Sequence, residues 1–282
     1  MDGVTHAQVD VGEVELHVAL SGPEDGPLVV LLHGFPDFWY GWRRQITALA
    51  QAGFRVAAPD SRGYGLSDKP EGIERYTLDA LAGDVVGLIG ALGHERADVV
   101  GHDWGGMTAW HTASNHPERV RQLAVLNAPH PRVFAKALKT LSQARKSWYM
   151  MAFQLPVLPE LLFSMRDYEL PRGLLRASGA RGADLERHVA ALSHPGVLTS
   201  AVNYYRAMRL GSGSRTGPVA APTRVIWGDG DPFLGAEMAD PGESAPDSEV
   251  CVVSRARHWP HWDSPDEVSE LLVGFFSGED ES

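Results

Sequence analysis

The segment Gly101-His102-Asp103-Trp104-Gly105 carries a carboxylate at the centre of a Gly-x-Asp-x-Gly spacing. That is the spacing of a nucleophile elbow, where a serine normally sits on a sharp strand-to-helix turn. A strand-like run, Ala97–Val100, precedes it and a helix-permissive segment follows. An elbow serine attacks carbonyl carbon and needs a histidine to take its proton. An aspartate, with an ordinary pKa of about 3.9, is already ionised at neutral pH. It can displace a leaving group from saturated carbon and form an ester whose carbonyl belongs to the enzyme. Water can then attack that carbonyl, which leaves a histidine free to activate the water. A serine in the same role would leave an ether that water cannot readily cleave. The implied chemistry is substitution at sp3 carbon; the competing reading of Asp103 is a simple helix cap.

Four further segments could contribute to such a site. They are His33-Gly34-Phe35-Pro36, Asp60-Ser61-Arg62-Gly63-Tyr64-Gly65, Trp227-Gly228-Asp229-Gly230-Asp231-Pro232 and His258-Trp259-Pro260. Each follows a short apolar or β-branched run, and open parallel sheets bind ligands at the carboxyl ends of their strands. The runs are Leu28–His33, Phe54–Pro59, Ala97–His102, Leu123–Asn127, Thr223–Gly228 and Glu249–Ser254. Helical segments such as LDALAGDVVGLIGAL and GGMTAWHTASNHPERV separate several of them. Near-continuous apolar strands alternating with helices predict an α/β architecture with a parallel sheet covered on both faces. Val9–Val11 and Val14–Leu20 alternate with period two across Gly12 and predict a hairpin at an antiparallel edge.

The alternation stops between about Pro131 and Gly217. This stretch is helix-rich and aromatic, with Trp148, Tyr149, Phe153, Phe163, Tyr168, Tyr204 and Tyr205, and it ends in GSGSRTGP. It is too long for one crossover helix and predicts a lid over the strand ends, with a flexible return to the sheet.

Composition narrows the class. The chain has 282 residues, 44% hydrophobic and 22% charged, which fits a soluble globular protein. Its net charge of −11 argues against a nucleic-acid partner, which needs a basic face. No run approaches a membrane span, and MDGVTHAQVD lacks the basic start and apolar core of a secretory leader. The single cysteine, Cys251, cannot form an internal disulfide and fits a cytoplasmic location. Its apolar setting, VCVV, predicts a buried structural thiol. The acidic end GEDES reads as a solvated tail.

Together the segments HGFPDFWYGWRRQI, APDSRGYGLSD, GHDWGG, WGDGDPFL and HWPHWDSPDEV resemble the α/β-hydrolase superfamily and, within it, the soluble epoxide hydrolases. The order nucleophile, acid, histidine is that of the α/β-hydrolase triad. The resemblance implies an α/β-hydrolase fold: a mostly parallel sheet flanked by helices, formed by residues 1–130 and 217–282, with a helical cap at 131–216. It implies Asp103 as nucleophile, His258 as the base that activates water, and Asp231 as its carboxylate partner. The family pattern selects Asp231 over Asp229, and His258 over His261. The backbone N–H groups of Phe35 and Trp104 are implied as the oxyanion hole. His33 is expected to support its turn, Pro36 to follow a cis bond, and Asp60 and Arg62 to hold loops together.

The leaving group decides the substrate. A departing halide needs donors that keep their protons, whereas an epoxide opens to an alkoxide and needs an acid opposite the nucleophile. SWYMMAFQLP and NYYRAM resemble the two epoxide hydrolase segments that supply lid tyrosines, here Tyr149 and Tyr205; Tyr204 is expected to pack. Phenols with pKa near 10 can donate to an epoxide oxygen and protonate an alkoxide. The expected activity is conversion of a small hydrophobic epoxide and water to a vicinal diol, without metal or organic cofactor, by a monomer or homodimer with no membrane partner. Two alternatives stand beside it. A haloalkane dehalogenase would use the same triad with the Trp104 indole on the halide, although Phe35 lacks the side-chain donor usual there. A non-catalytic small-molecule binding protein on this scaffold is the other.

Overall fold

A computed structural model describes residues 3–278; the acidic tail beyond Gly278 lies outside the described residues. Eight strands form one sheet: β1 (Thr5–Asp10), β2 (Glu15–Ser21), β3 (Leu28–Leu32), β4 (Arg55–Pro59), β5 (Ala97–His102), β6 (Val120–Leu126), β7 (Thr223–Gly228) and β8 (Glu249–Val253). Their order is β1-β2-β4-β3-β5-β6-β7-β8. The β1–β2 hairpin is antiparallel, β2 runs antiparallel to β4, and every later pairing is parallel. The hairpin therefore forms the antiparallel edge expected of its period-two pattern.

The central strands are apolar along their length because helices cover both faces. Leu28, Val30 and Leu32 of β3 pack in one core with residues of α2 (Leu78–Ala91) and α3 (Trp104–Asn115). Val29 and Leu31 point the other way, into a core with α1 (Arg43–Gln51) and the last helix, Pro265–Ser277. In α2, Thr77 caps the first turn through Ala80 N–H, and Leu81, Val85, Leu88 and Ile89 form the buried stripe. The helical reading of GGMTAWHTASNHPERV runs too far. α3 stops at Asn115 ahead of Pro117, and β6 starts at Val120, three residues before the expected Leu123. A helix ends readily before proline, which disfavours the α conformation in the preceding residue.

Cys251 is not the buried thiol its apolar neighbours suggest. It is half-buried on β8, the other edge of the sheet, where Val250 and Val252 are also exposed. An apolar run does not reveal whether a strand is covered on both faces.

Between β6 and β7 lie α4 (Pro131–Ala137), α5 (Leu141–Lys146), α6 (Trp148–Ala152), α7 (Leu158–Ala177), α8 (Gly182–Ser193) and α9 (Val197–Ala207). α7 is broken near its middle, where Arg166, Asp167 and Tyr168 adopt left-handed backbone angles. Pro171, without an N–H and with a ring that clashes with the carbonyl four residues earlier, accounts for a break at Asp167. The return to the sheet is held in place. It contains a short 3-10 turn at Ser212–Arg215, and Thr216 Oγ1 lies 2.7 Å from His111 Nδ1 on α3.

A buried polar contact fixes α8 onto the loop after β3. His188 Nδ1 meets the Asp184 carbonyl at 2.7 Å, and its Nε2 lies 3.0 Å from Asp37 Oδ1. Burial opposes charge on Asp37, but the hydrogen bond to His188 and the neighbouring His261 imidazole hold its carboxyl well below the usual range. His188→Ala strands that carboxylate and is expected to cost about 3 kcal/mol, read as a lowered urea midpoint at neutral pH. Because the Asp37 pKa is depressed, its contribution is present above the ordinary carboxylate range and fades below it. The difference between variant and parent should therefore narrow in acid.

Candidate active site

The elbow is built as its glycines require. Asp103 sits between β5 and α3 with φ 52°, a left-handed conformation strained for a non-glycine residue. A Cβ on Gly105 would lie 2.2 Å from the Leu32 carbonyl oxygen, so only glycine lets α3 start this close to β3. The Asp103 side chain makes no capping hydrogen bond to α3, which removes the simple helix-cap reading. Its Oδ1 instead accepts a 2.9 Å hydrogen bond from the Phe35 N–H, delivered by the loop after β3. A Cβ on Gly34 would collide with this carboxylate, so the loop approaches Asp103 only through glycine. Trp104 opens α3, with its backbone N–H in the first turn, where an α-helix offers no carbonyl partner.

His258 lies between two carboxylates. Nδ1 is 2.7 Å from Asp231 Oδ2 and Nε2 is 3.5 Å from Asp103 Oδ2. Burial would lower its pKa, but the charges of Asp231 and Asp103 outweigh burial and raise it to about 10. Asp231, although buried, is held below the usual carboxylate range by His258 and by Asn127. Its Oδ1 accepts from the N–H groups of Phe233 and Leu234 at 2.7 and 3.0 Å. Asp229 bonds the Arg255 N–H instead, and His261 stacks on Trp42 with its Nε2 3.8 Å from Asp37.

Tyr149 of α6 and Tyr205 of α9 line one cavity of about 690 Å³ together with Phe35, Asp103 and His258. Their rings meet edge to face, 6.0 Å apart. Burial and the nearby Asp103 charge push both phenols well above their ordinary pKa, Tyr205 also feeling Tyr149. Both therefore keep their protons across the working pH range. Tyr204 points away, donating from its hydroxyl to the Arg62 carbonyl at 2.7 Å.

The supporting residues fall where their loops need them. His33 Nδ1 donates to the Gly34 carbonyl and its Nε2 accepts from Ser61 N–H, both at 2.9 Å. The Phe35–Pro36 bond is cis. Asp60 accepts from the Trp39 and Leu66 N–H groups, and Arg62 pairs with Asp84.

Two residues escaped sequence reasoning. Asn127, at the end of β6, donates from Nδ2 to Asp231 Oδ2 at 2.7 Å and accepts from Gly228 N–H at 2.8 Å. It locks the acid loop to the next strand; a polar residue closing the run LAVLN was the available signal. His102 Nε2 donates to the His258 carbonyl at 2.8 Å and fixes the backbone that carries that imidazole. It stands beside Asp103 in the motif, but nothing in the spacing marks that contact.

Fold and site define an α/β hydrolase, and residues 27–265 match the family model for the alpha/beta hydrolase fold. The chain belongs to that family. Within it, the chain resembles the epoxide hydrolases. It is 36% identical to human epoxide hydrolase 4 over 98% of this chain and 80% of that protein. A crystal structure of Bacillus megaterium epoxide hydrolase with an inhibitor superposes with a TM-score of 0.86 at 31% identity, over 97% of this chain and 100% of that one. A Bacillus subtilis relative described as AB hydrolase superfamily protein YfhM is 43% identical over 99% of this chain and 100% of its own length.

Proposed function

We propose that this protein is an epoxide hydrolase that opens a small hydrophobic epoxide to a vicinal diol in two steps at Asp103. The observation that carries this reading is the single cavity shared by the elbow carboxylate, an imidazole and two protonated phenols. In the first step an Asp103 oxygen attacks an epoxide carbon, and the C–O bond breaks toward Tyr149 and Tyr205. The alkoxide takes a phenolic proton, and the phenolate is reprotonated at the expense of the His258 imidazolium. The step ends with a hydroxyalkyl ester on Asp103 and a neutral imidazole. Esterification removes the Asp103 charge, one of the causes of the raised His258 pKa, so the ring can release its proton.

In the second step His258 takes a proton from water as that water attacks the ester carbonyl. The oxyanion forms against the N–H groups of Phe35 and Trp104, donors that typically contribute about 3 kcal/mol each. Collapse expels the diol and regenerates the Asp103 carboxylate beside a protonated His258. A pocket of about 40 Å³ touching Asp103, Asn127 and His258 has the volume and polar lining a water needs. Phe35 brings no side-chain donor to Asp103, and two phenols stand opposite it, which favours an oxygen leaving group over a halide.

A single turnover in oxygen-18 water tests the covalent step. The first diol should carry unlabelled oxygen drawn from Asp103, with label appearing only after further turnovers. Full label in that first diol would mean direct attack by water. Halide release from simple haloalkanes at a rate matching diol formation would move the assignment to the dehalogenase.

A further inference from the structure

Among the described residues, fourteen large apolar side chains are exposed, and ten of them lie between Leu141 and Leu170. Met151 is 74% exposed, Val157 72% and Trp148 68%. Scattered apolar residues are normal on a surface, but a contiguous patch marks an interaction site. Four of them meet in space, since Trp148 of α6 and Leu158, Leu162 and Leu170 of α7 share the wall of the active-site cavity. Arg145 and Lys146 of α5 stand in the same wall.

The chain leading into the patch carries charge of one sign. From Pro131 to Pro159 the chain carries Arg132, Lys136, Lys139, Arg145 and Lys146 with no aspartate or glutamate, in a protein of net charge −11. None of the five forms an ion pair among the described residues. The acids that follow are engaged by arginines: Glu160 by Arg206, Asp167 by Arg172 and Glu169 by Arg176. Exposed apolar side chains including a tryptophan, flanked by unpaired cations, match the chemistry of an anionic lipid surface. A second copy of this chain fits poorly, since a two-fold contact would set the cations of this face against their own copies.

We propose that the outer face running from the end of α4 through α5 and α6 to the first half of α7 docks on the surface of a membrane with anionic headgroups, so that the substrate cavity opens toward the lipid. No helix among the described residues is long and apolar enough to cross a membrane. The contact is peripheral, of a kind that a search for spans and leaders does not address. It explains a mouth built from apolar and cationic side chains: an apolar epoxide dissolved in the bilayer would enter without crossing water.

Co-sedimentation with vesicles tests this. The protein should bind phosphatidylcholine–phosphatidylglycerol vesicles at least about tenfold more tightly than phosphatidylcholine alone, and rising salt should weaken binding. Lys136→Glu with Lys139→Glu, and separately Met151→Ser with Val157→Ser and Leu161→Ser, should each weaken binding about tenfold or more. None of these five side chains lines the catalytic cavity, so turnover of a freely water-soluble epoxide should be unchanged. Absence of binding to either vesicle, or binding indifferent to headgroup charge and to both variants, overturns the proposal. So does lipid-free self-association that the serine variant abolishes, which would assign the face to a second copy. Binding is read without catalysis, so an inactive chain that still binds vesicles refutes the hydrolase reading alone.

Discussion

His258→Gln should trap the reaction halfway. A carboxylate nucleophile needs no base to take a proton from it, so the variant should still open the epoxide and form the ester. Without a base, hydrolysis of that ester should slow by about four orders of magnitude, the usual scale for disabling a triad. Intact-protein mass spectrometry should show one added epoxide mass per chain, and peptide mapping should place it on Asp103. Turnover should fall with the hydrolysis step, while the first, adduct-forming burst survives. Glutamine cannot carry the imidazolium charge, so the proton that re-forms the Tyr149 or Tyr205 phenol must come from solvent, and a moderately slower burst is expected. The free parent enzyme has a His258 pKa raised to about 10 and keeps the imidazolium–carboxylate pair through neutral pH. A raised imidazole pKa stabilises the fold fully below its ordinary value near 6.5 and loses that contribution as pH climbs through 10. The parent should therefore lose stability between those values more steeply than His258→Gln does. A variant that forms no adduct with any reactive epoxide, yet remains folded, would break the division of labour between Asp103 and His258.

The elbow carboxylate was legible because an elbow is a local object. Two glycines at fixed distances and a strand-to-helix change lie within five residues, and the backbone clash at Gly105 is the physical reason for that spacing. The β1–β2 hairpin was legible for the same reason, since its pattern and turn are contiguous. Choosing Asp231 over Asp229 needed the family pattern. Both residues follow the same strand, and only the fold shows Asp231 facing His258 while Asp229 turns to Arg255. Asn127 and His102 were beyond reach because their partners arrive from other strands and loops, at separations no local pattern encodes. Cys251 shows the matching limit for burial. Apolar character sets a preference, but the place of β8 at the sheet edge decides what is covered. The exposed face of α6 and α7 extends this point, because its aromatic residues read as a lid until solvent exposure separates Tyr205 from Trp148.

Tyr149→Phe combined with Tyr205→Phe should fail at the opposite end of the cycle. The fold should persist, because each ring keeps its edge-to-face contacts with Phe153 and only hydroxyls are removed. Ring opening should slow by about three to four orders of magnitude, in line with loss of general acid catalysis at a poor leaving group. No ester should accumulate, in contrast to His258→Gln, since the block precedes the covalent bond. Each single variant should retain a measurable rate, because either phenol can polarise the epoxide while the other is gone. The two single losses should not simply add, as both hydroxyls serve one developing alkoxide. Epoxides whose opening needs little acid assistance provide the sharper control. Nitro-substituted aryl groups on the departing oxygen's carbon skeleton lower the basicity of the alkoxide, so the double variant should lose less rate on them than on simple alkyl epoxides. Equal losses on both would mean that the tyrosines shape the cavity without supplying protons. Normal turnover in the double variant would leave Asp103 without its acid, and oxygen would lose its claim as the leaving group.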